Sequence, residues 1–436
     1  MTVLNVWRVL NLRESPFYQD TLSPAAGAAY PIELFVGREE ETNRILRSIG
    51  SLRHSRQAIQ GGVGIGKTSL VQRVKAEVVK SGYLTLPEAA ALGHADTTET
   101  VLLRILNYVY EAILAQGGLA VGTIEVMQTA RQVLHAFRTR AGGASVGWGG
   151  LGSIGISTSA GHITPSGAAP IYLPRLLRQL SDLVLEKLKR PGVVVHLNNL
   201  ENLSDADSRR AAQIVRDLRD EGLMYDGLHY LFVGTESSVT AITSAAQVRS
   251  VFTSHILRPL DAVELERLLE KRYRHLRLDR KRKVHPPVER ETLHALYGLF
   301  QGDLRGTLRA LETAAMDLVG LGETPSAPMT ASDMRSVLLS RYHAELEQLS
   351  DSTREYLQLM SEAGDVGHGF TQQDLMSIWG IGQSAVSSFL SDLIRAGYVI
   401  PAERVPTGGP GRPRQLYRLG GPALLVFRGL PGESDG

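Results

Sequence analysis

The sequence contains no cysteine, which excludes disulfide bridges, thiolate zinc sites and cysteine nucleophiles. It has no large excess of either charge: the net charge is +2, so any attraction to nucleic acid must come from local patches. No stretch approaches the roughly 20 apolar residues of a membrane-spanning helix. Arg8 and Arg13 interrupt the first apolar segment, so no signal sequence is expected there. We therefore expect a cytoplasmic protein without a membrane partner.

The 436 residues are enough for two or three domains. Between 57 and about 260, short apolar strands alternate with helical segments, which predicts an α/β fold with a parallel sheet covered on both faces. GYLTLP at 82–87 is the predicted second strand. The predicted divisions are a lead-in at 1–56, the α/β core at 57–260, helices and a linker at 261–329, and a small domain at 330–436.

A glycine-rich segment at 141–170 interrupts the core and carries no Asp, Glu, Lys or Arg. It fits a flexible Gly/Ser linker. It also fits a hairpin with one apolar face, because Val146, Trp148, Ile154 and Ile156 share one parity. Such a hairpin would contact a protein partner or a neighbouring subunit, and both interpretations remain open.

A phosphate-binding signature, GGVGIGKTS, occupies residues 61–69, after a strand and before a helix. Its glycines let backbone N–H groups face phosphate oxygens at a helix N-terminus. We expect Lys67 to reach the β- and γ-phosphates of ATP and the Thr68 hydroxyl to bind Mg²⁺. The predicted nucleotide contacts are Gly61, Gly62, Val63, Gly64, Ile65, Gly66, Lys67, Thr68 and Ser69.

The strand VVVHL at 193–197 should lie beside this loop, and parallel sheets bind ligands at the carboxyl ends of their strands. A magnesium-dependent hydrolase usually has carboxylates there, but this strand ends in Asn198 and Asn199, which offer only neutral oxygens. Glu201 is the nearest acid and is either the general base or a helix-cap residue. ATP binding is thus predicted more strongly than ATP hydrolysis, and any ATPase should be weak, slow or partner-dependent.

The order of these elements resembles the AAA+ superfamily, in particular the Orc1/Cdc6 initiator-like branch. ELFVGREE at 33–40 is similar to the branch's adenine-clasping segment, which implies that Phe35, Val36 and Gly37 contact the base. LFVGTES at 231–237 takes the place of the sensor-1 strand, which implies a γ-phosphate contact for Thr235. VRSVF at 248–252 implies an arginine finger, Arg249, acting on a neighbouring subunit. GDLRGTLRAL at 302–311 looks like the sensor-2 helix, with Arg305 reaching the γ-phosphate.

The C-terminal segment resembles the winged helix that follows initiator-type ATPase modules: three helices, with the turn WGIGQ between the last two, and then a hairpin. This implies double-stranded DNA as partner. In this resemblance the third helix would present Gln383, Ser384, Ser387 and Ser388 to the major groove, and the wing would carry Arg412, Arg414 and Arg418. Winged helices also serve as protein-interaction modules.

A basic run at 272–285 fits either phosphate binding or a solvated helix end. The preferred function is an ATP-binding protein that binds DNA and assembles as a homo-oligomer according to nucleotide state. The alternative follows from the VGRE segment and the phosphate loop, which STAND-type signalling ATPases share. Under it, the chain is a regulator or scaffold that binds ATP without turnover and recruits a protein partner.

Overall fold

A computed structural model describes residues 5–25, 27–117, 119–140, 169–204, 208–243, 248, 250–319, 328–365, 367–405 and 414–429. Of the predicted hairpin or linker at 141–170, residues 141–168 lie outside the described residues, and 169–170 begin a helix.

The core of the chain is a five-stranded parallel sheet. Its strands are β1 (Ser55–Gln60), β2 (Ala90–Ala91), β3 (Val193–Asn198), β4 (Leu228–Gly234) and β5 (Thr253–Ile256). They lie in the order β2-β3-β4-β1-β5. Strand β1, which leads into the phosphate loop, thus lies between β4 and β5, and β3 lies on the far side of β4. The predicted fold class is confirmed.

Helices cover both faces of this sheet. They are α1 (Glu39–Ser51), α2 (Lys67–Lys80), α3 (Thr98–Gly117), α4 (Glu125–Arg140), α5 (Ala169–Asp182), α6 (Leu200–Ser204), α7 (Ser208–Leu218) and α8 (Glu236–Thr243). Successive side chains of a strand point to opposite faces. Accordingly Val193 and Val195 pack with α3 and α5, whereas Val194 packs with α1 and α2. The continuous apolar run of β3 is explained by this double burial.

The predicted second strand at 82–87 is wrong in position. Leu84 makes one isolated parallel bridge to Val193, and the paired strand comes later, at Ala90–Ala91. Pro87 has no N–H to give to a ladder. Its carbonyl accepts hydrogen bonds from Gln72 Nε2 at 2.8 Å and Lys75 Nζ at 3.2 Å, which turn the chain toward α2.

A helical region follows the sheet and consists of α9 (Ala262–Leu276), α10 (Arg290–Leu299) and α11 (Leu304–Val319). A reciprocal capping box between Asp261 and Glu264 starts α9. The N-terminal segment packs onto these helices, and Trp7 and Phe17 are buried in the same core. Arg272 of α9, itself buried, donates from Nη1 to the carbonyls of Pro16 (3.0 Å) and Tyr18 (2.8 Å).

From 328 onward, the described residues form five helices and a three-stranded antiparallel sheet. The helices are α12 (Ala331–Glu347), α13 (Asp351–Glu362), α14 (Gln372–Trp379), α15 (Gln383–Ala396) and α16 (Gly421–Arg428). The strands are β6 (Phe370–Thr371), β7 (Val399–Val405) and β8 (Arg414–Leu419), in the order β6-β8-β7. Helices α13 to α15 with the β7–β8 hairpin form the arrangement of a winged helix.

The helical region packs on this last part through α11 and α12, and a short turn adds further contacts. Gln301 Nε2 donates to the Leu419 carbonyl at 2.7 Å, and the Phe300 ring packs closely on Gly421. The turn continues through Gly302 and Asp303, and α11 begins at Leu304. Across the described part of the chain, no helix has both the length and the apolar character that crossing a bilayer requires.

Candidate functional site

The phosphate loop joins β1 to α2, and its backbone is shaped to receive an anion. Gly64 and Gly66 adopt φ values of +75° and +97°, which only glycine adopts without strain. Gly66 is the N-cap of α2, and no side chain caps this helix. Within the described residues, the N–H groups at positions 62–66 donate to no protein acceptor. These N–H groups and the positive end of the helix dipole together make an anion site.

Lys67 is the first residue of α2, and its ammonium group stays over the loop. Nζ donates to the carbonyls of Gly61 at 2.9 Å and Gly62 at 2.8 Å. Burial lowers the pKa of Lys67, the neighbouring Arg305 lowers it further, and the carboxylate of Glu201 opposes both effects. The structure therefore brings three predicted site residues from distant segments into one electrostatic cluster.

Glu201 lies in the first turn of α6, directly after the amide pair. Asn198 ends β3, and Asn199 adopts a left-handed conformation with φ +65°, which bends the chain into α6. The carboxylate of Glu201, which follows this bend, supplies the negative charge near Lys67, since the two amides are neutral. Among the described residues no group of three or more His, Cys, Asp or Glu side chains forms a metal site. Oxygen donors of the kind that Mg²⁺ prefers are present in the half-buried Thr68 hydroxyl and the neutral oxygens of the amide pair.

Thr235 follows β4 at the same edge of the sheet, but its hydroxyl is engaged locally. Oγ1 accepts a hydrogen bond from the Ser238 N–H at 3.2 Å, as an N-cap of α8, and lies 2.9 Å from Ser237 Oγ. This cap uses only the acceptor capacity of the hydroxyl, so the O–H of Thr235 can donate either to Ser237 Oγ or to a phosphate. Its sensor role remains a prediction, and Arg249 lies outside the described residues.

Arg305 is exposed in the first turn of α11, and the residue that seats this helix on the loop is Asp303. Asp303 Oδ1 accepts from the Gly306 N–H at 3.1 Å, as a cap of α11. The same oxygen would lie 1.8 Å from a Cβ placed on Gly64. Burial raises the pKa of Asp303. Asp303 is not among the predicted site residues, although an Asp directly before a helix is a recognisable capping signal.

The segment predicted to clasp adenine lies between the loop and α9. Phe35 is half-buried, Val36 and Gly37 are buried, and the Phe35 carbonyl accepts from Lys271 Nζ at 2.9 Å. Arg38 has left-handed backbone geometry and donates to the carbonyls of Ile65, at 3.4 Å, and Arg258. It thereby ties this segment to the phosphate loop. Arg38 was not among the predicted site residues. No local sequence signal marks this role, because both acceptors are distant in sequence.

Helix α15 presents a polar face to solvent. Val386, Leu390 and Leu393 are its buried residues. Its predicted DNA contacts are all exposed: Gln383, Ser384, Ser387 and Ser388. Gly380, left-handed, ends α14, and Gly382 begins α15, which confirms the tight turn expected between the two helices. At the hairpin, Arg414 is exposed and Arg418 is half-buried, while Arg412 lies outside the described residues.

Fold and loop together define the class: an α/β protein of the P-loop type, followed by a helical region and a winged-helix arrangement. No family model and no curated protein sequence matches the chain.

Solved structures do resemble it. The Aeropyrum pernix Orc2 protein, in ADPNP and ADP complexes, has 17% identity and a TM-score of 0.48, covering 95% of this chain and 96% of that one. The Orc1 protein of the same organism, in complex with DNA, has 16% identity and a TM-score of 0.45, covering 95% and 93%. A Walker-type ATPase of Pyrococcus abyssi has 14% identity and a TM-score of 0.46, covering 95% and 99%. The initiator-like proteins that the sequence resembles are thus among the structures similar to this chain.

Proposed function

We propose that this chain is an ATP-binding protein of the AAA+ initiator-like type, which binds double-stranded DNA through its winged helix and assembles in a nucleotide-dependent way. The observation that carries the proposal is the anion-receiving loop at positions 62–66, with its lysine, a glutamate and an arginine from three separate segments around it.

In this proposal the loop N–H groups and Lys67 bind the triphosphate of ATP, while Phe35, Val36 and Gly37 hold the base. Nucleotide displaces the Lys67 ammonium from the two loop carbonyls that it now contacts. Mg²⁺, held by the Thr68 hydroxyl and through water by Asn198, would neutralise phosphate charge. Arg305 would contact the γ-phosphate and so report which nucleotide is bound.

Hydrolysis is proposed to be weak or partner-stimulated. Neither amide of the Asn198–Asn199 pair takes a proton, so activation of water falls to Glu201. Arg249 of a neighbouring subunit is the proposed finger that completes the site, which makes turnover depend on assembly. The uncharged strand end also favours the second candidate, a STAND-like regulator or scaffold that binds ATP without turnover and recruits a protein partner, with 141–170 as its contact segment.

DNA binding is proposed for the exposed face of α15, whose small polar side chains permit close approach to bases and phosphates. The hairpin arginines would contact the DNA backbone. The turn that contacts both the phosphate loop, through Asp303, and the winged helix, through Gln301, supports control of DNA binding by the nucleotide. We propose that nucleotide state sets the angle between the two parts.

Titration with ATP or ADP in the presence of magnesium tests the central claim. Lys67→Ala is expected to weaken ATP binding at least tenfold, because a charge-assisted contact to the phosphates is lost. Lys80→Ala is the matched control, since Lys80 is exposed at the other end of the same helix. An unchanged ATP affinity of Lys67→Ala in a folded protein would refute the proposed site.

Phosphate release separates the two candidates. An ATPase should lose its turnover in Glu201→Gln and retain it in Glu236→Gln, which alters an exposed acid in the corresponding first turn of α8. Each protein is measured with and without duplex DNA. If wild type never exceeds Lys67→Ala, the chain is a binder rather than a hydrolase.

Retarded mobility of duplex DNA tests the second half of the proposal. The double variant Arg412→Ala/Arg414→Ala should bind more weakly, and its salt slope should fall by about 1.8 if each arginine neutralises one phosphate. Arg395→Ala is the control, because Arg395 is exposed on α15 but pairs with Asp392 at 3.0 Å. ATP-dependent complex formation that ignores duplex DNA would favour the scaffold instead.

A further inference from the structure

The basic run at 272–285 divides into two groups in the structure. Arg272 and Arg277 serve the fold: Arg272 is buried, and Arg277 Nε donates to the carbonyls of Asp279 at 3.1 Å and Arg282 at 2.8 Å. The remaining cations point to solvent. We call them the basic platform, which consists of Arg274, Arg280, Lys281, Arg282 and Lys283, with Arg8 and Arg13 from the N-terminal segment.

Asn11 holds this platform in place. It is buried, has left-handed backbone geometry, and donates from Nδ2 to the carbonyls of Asp279 and Arg282, both at 3.0 Å. Its Oδ1 accepts from the Asp279 N–H at 2.9 Å. The loop's polar backbone is therefore satisfied inward by a residue about 270 positions away, and its four consecutive cationic side chains are directed outward.

The N-terminal segment also contributes charge. The Arg13 N–H donates to the Leu276 carbonyl at 2.8 Å, and Arg13 Nη2 donates to the His275 carbonyl at 3.0 Å. Arg13 thus lies where α9 ends and the loop begins. Two elements that are far apart in sequence have been joined so that their cations share one surface.

This arrangement differs from a solvated helix end. Within the described chain, no ion pair is formed by Arg274 or by the loop cations at 280–283. Asp279 is the acid within the loop, and its Oδ1 accepts from the Lys281 N–H at 2.8 Å. Like charges repel, so ordering four of them in succession is unfavourable unless an anion approaches. An ordered, unneutralised set of cations is suited to a polyanion with closely spaced charges.

We propose that the basic platform is a second nucleic-acid contact, separate from the winged helix, which binds the phosphate backbone of duplex DNA. Its cations supply charge without base-reading amides, so binding here would be independent of sequence. A membrane surface fits less well: the exposed apolar side chains here are single residues, Val9 and Leu278, rather than the apolar face of an amphipathic helix. The proposal extends the proposed DNA-binding function but does not require the winged helix to bind.

The test measures the affinity of the full-length protein for a fluorescent DNA duplex over a series of salt concentrations. Lys281→Gln/Arg282→Gln/Lys283→Gln should lower the salt slope by about 2.7 if each cation meets one phosphate. The control triple, Lys187→Gln/Lys189→Gln/Arg190→Gln, removes three exposed cations between α5 and β3. It should leave the slope unchanged. Equal losses in the two triples would overturn the proposal, because net charge alone would then explain them.

Two further variants complete the experiment. Asn11→Ala keeps every cation but frees the loop, so a folded variant should bind DNA several-fold more weakly; wild-type affinity would overturn the proposed ordering. Arg414→Ala weakens the winged helix independently. If it alone reduces binding, the platform proposal fails and the winged-helix function stands, whereas the converse result leaves only the platform. Loss of binding to anionic vesicles by the Lys281–Lys283 triple, with duplex binding intact, would reassign the surface to membranes.

Discussion

Alanine substitution at three glycines of the phosphate loop separates two physical reasons for glycine there. At Gly62 the backbone φ is not in the left-handed region and an added Cβ meets nothing within 4 Å. At Gly66 φ is +97° and the space is open, so alanine brings backbone strain alone. At Gly64 φ is +75° and the Cβ collides with the Asp303 carboxylate, so alanine brings strain and a clash. The expected loss on alanine substitution thus increases from Gly62 to Gly66 to Gly64.

The magnitudes follow from these geometries. Left-handed geometry costs an alanine about 1–2 kcal/mol, so Gly66→Ala should weaken ATP binding about 5- to 30-fold. Gly64→Ala must also displace Asp303 from its cap of α11, which adds about 0.5–2 kcal/mol. We therefore expect a loss of about 1.5–4 kcal/mol for Gly64→Ala, shared between ATP affinity and the free energy of unfolding. Gly62→Ala should change neither quantity.

Calorimetric titration with ATP and denaturant unfolding measure the two quantities for each variant. The expected order of total loss is Gly62→Ala, Gly66→Ala, Gly64→Ala, from smallest to largest. The reasoning is refuted if Gly62→Ala weakens binding as much as Gly64→Ala. It is also refuted if Gly66→Ala affects neither affinity nor stability, since the strain would then be absent.

Other predictions concern buried cations. Burial lowers the pKa of Lys75 from 10.5 to about 7, so between these pH values the unfolded chain binds more protons than the folded chain. The free energy of unfolding should therefore rise with pH in this range, by up to about 1.4 kcal/mol per pH unit. Lys75→Met should abolish that rise in denaturant unfolding, and an equal slope in both proteins would contradict the prediction. Arg38→Ala should weaken ATP binding about tenfold, because the phosphate loop loses a contact that holds it in place. The control Arg44→Ala, which alters an exposed residue of α1, should leave ATP binding unchanged. Equal titration curves for wild type and both variants would exclude a positioning role for Arg38. Arg272→Met should destabilise the fold by about 3 kcal/mol, because the hydrogen bonds to two carbonyls and the stacking on Tyr18 are lost. An unchanged unfolding midpoint would show that these contacts contribute nothing to stability.

Local patterns made the core of the site predictable. The phosphate loop is encoded in nine consecutive residues, because the glycine conformations, the lysine and the helix start are all set by near neighbours. The carboxyl end of β3 was predictable for a similar reason, since an uninterrupted apolar run can be recognised without tertiary information.

Contacts between distant segments were not predictable in this way. Arg38 reaches a carbonyl 220 positions away, and Asn11 orders a loop about 270 positions away. Their residue types carry no signal for either role. The position of the second strand was missed because Lys75 and Gln72 redirect the chain at Pro87, and this depends on how α2 packs.

The turn from Phe300 to Arg305 has a consequence for how variants of this chain will behave. Only four residues lie between Phe300, which contacts the C-terminal part, and Arg305, the proposed contact of the γ-phosphate. Lengthening this stretch by inserted glycines should leave each half intact while silencing communication from one to the other. Under the proposed function, a protein altered in that way would still bind ATP and DNA, but occupancy of one site would no longer affect the other.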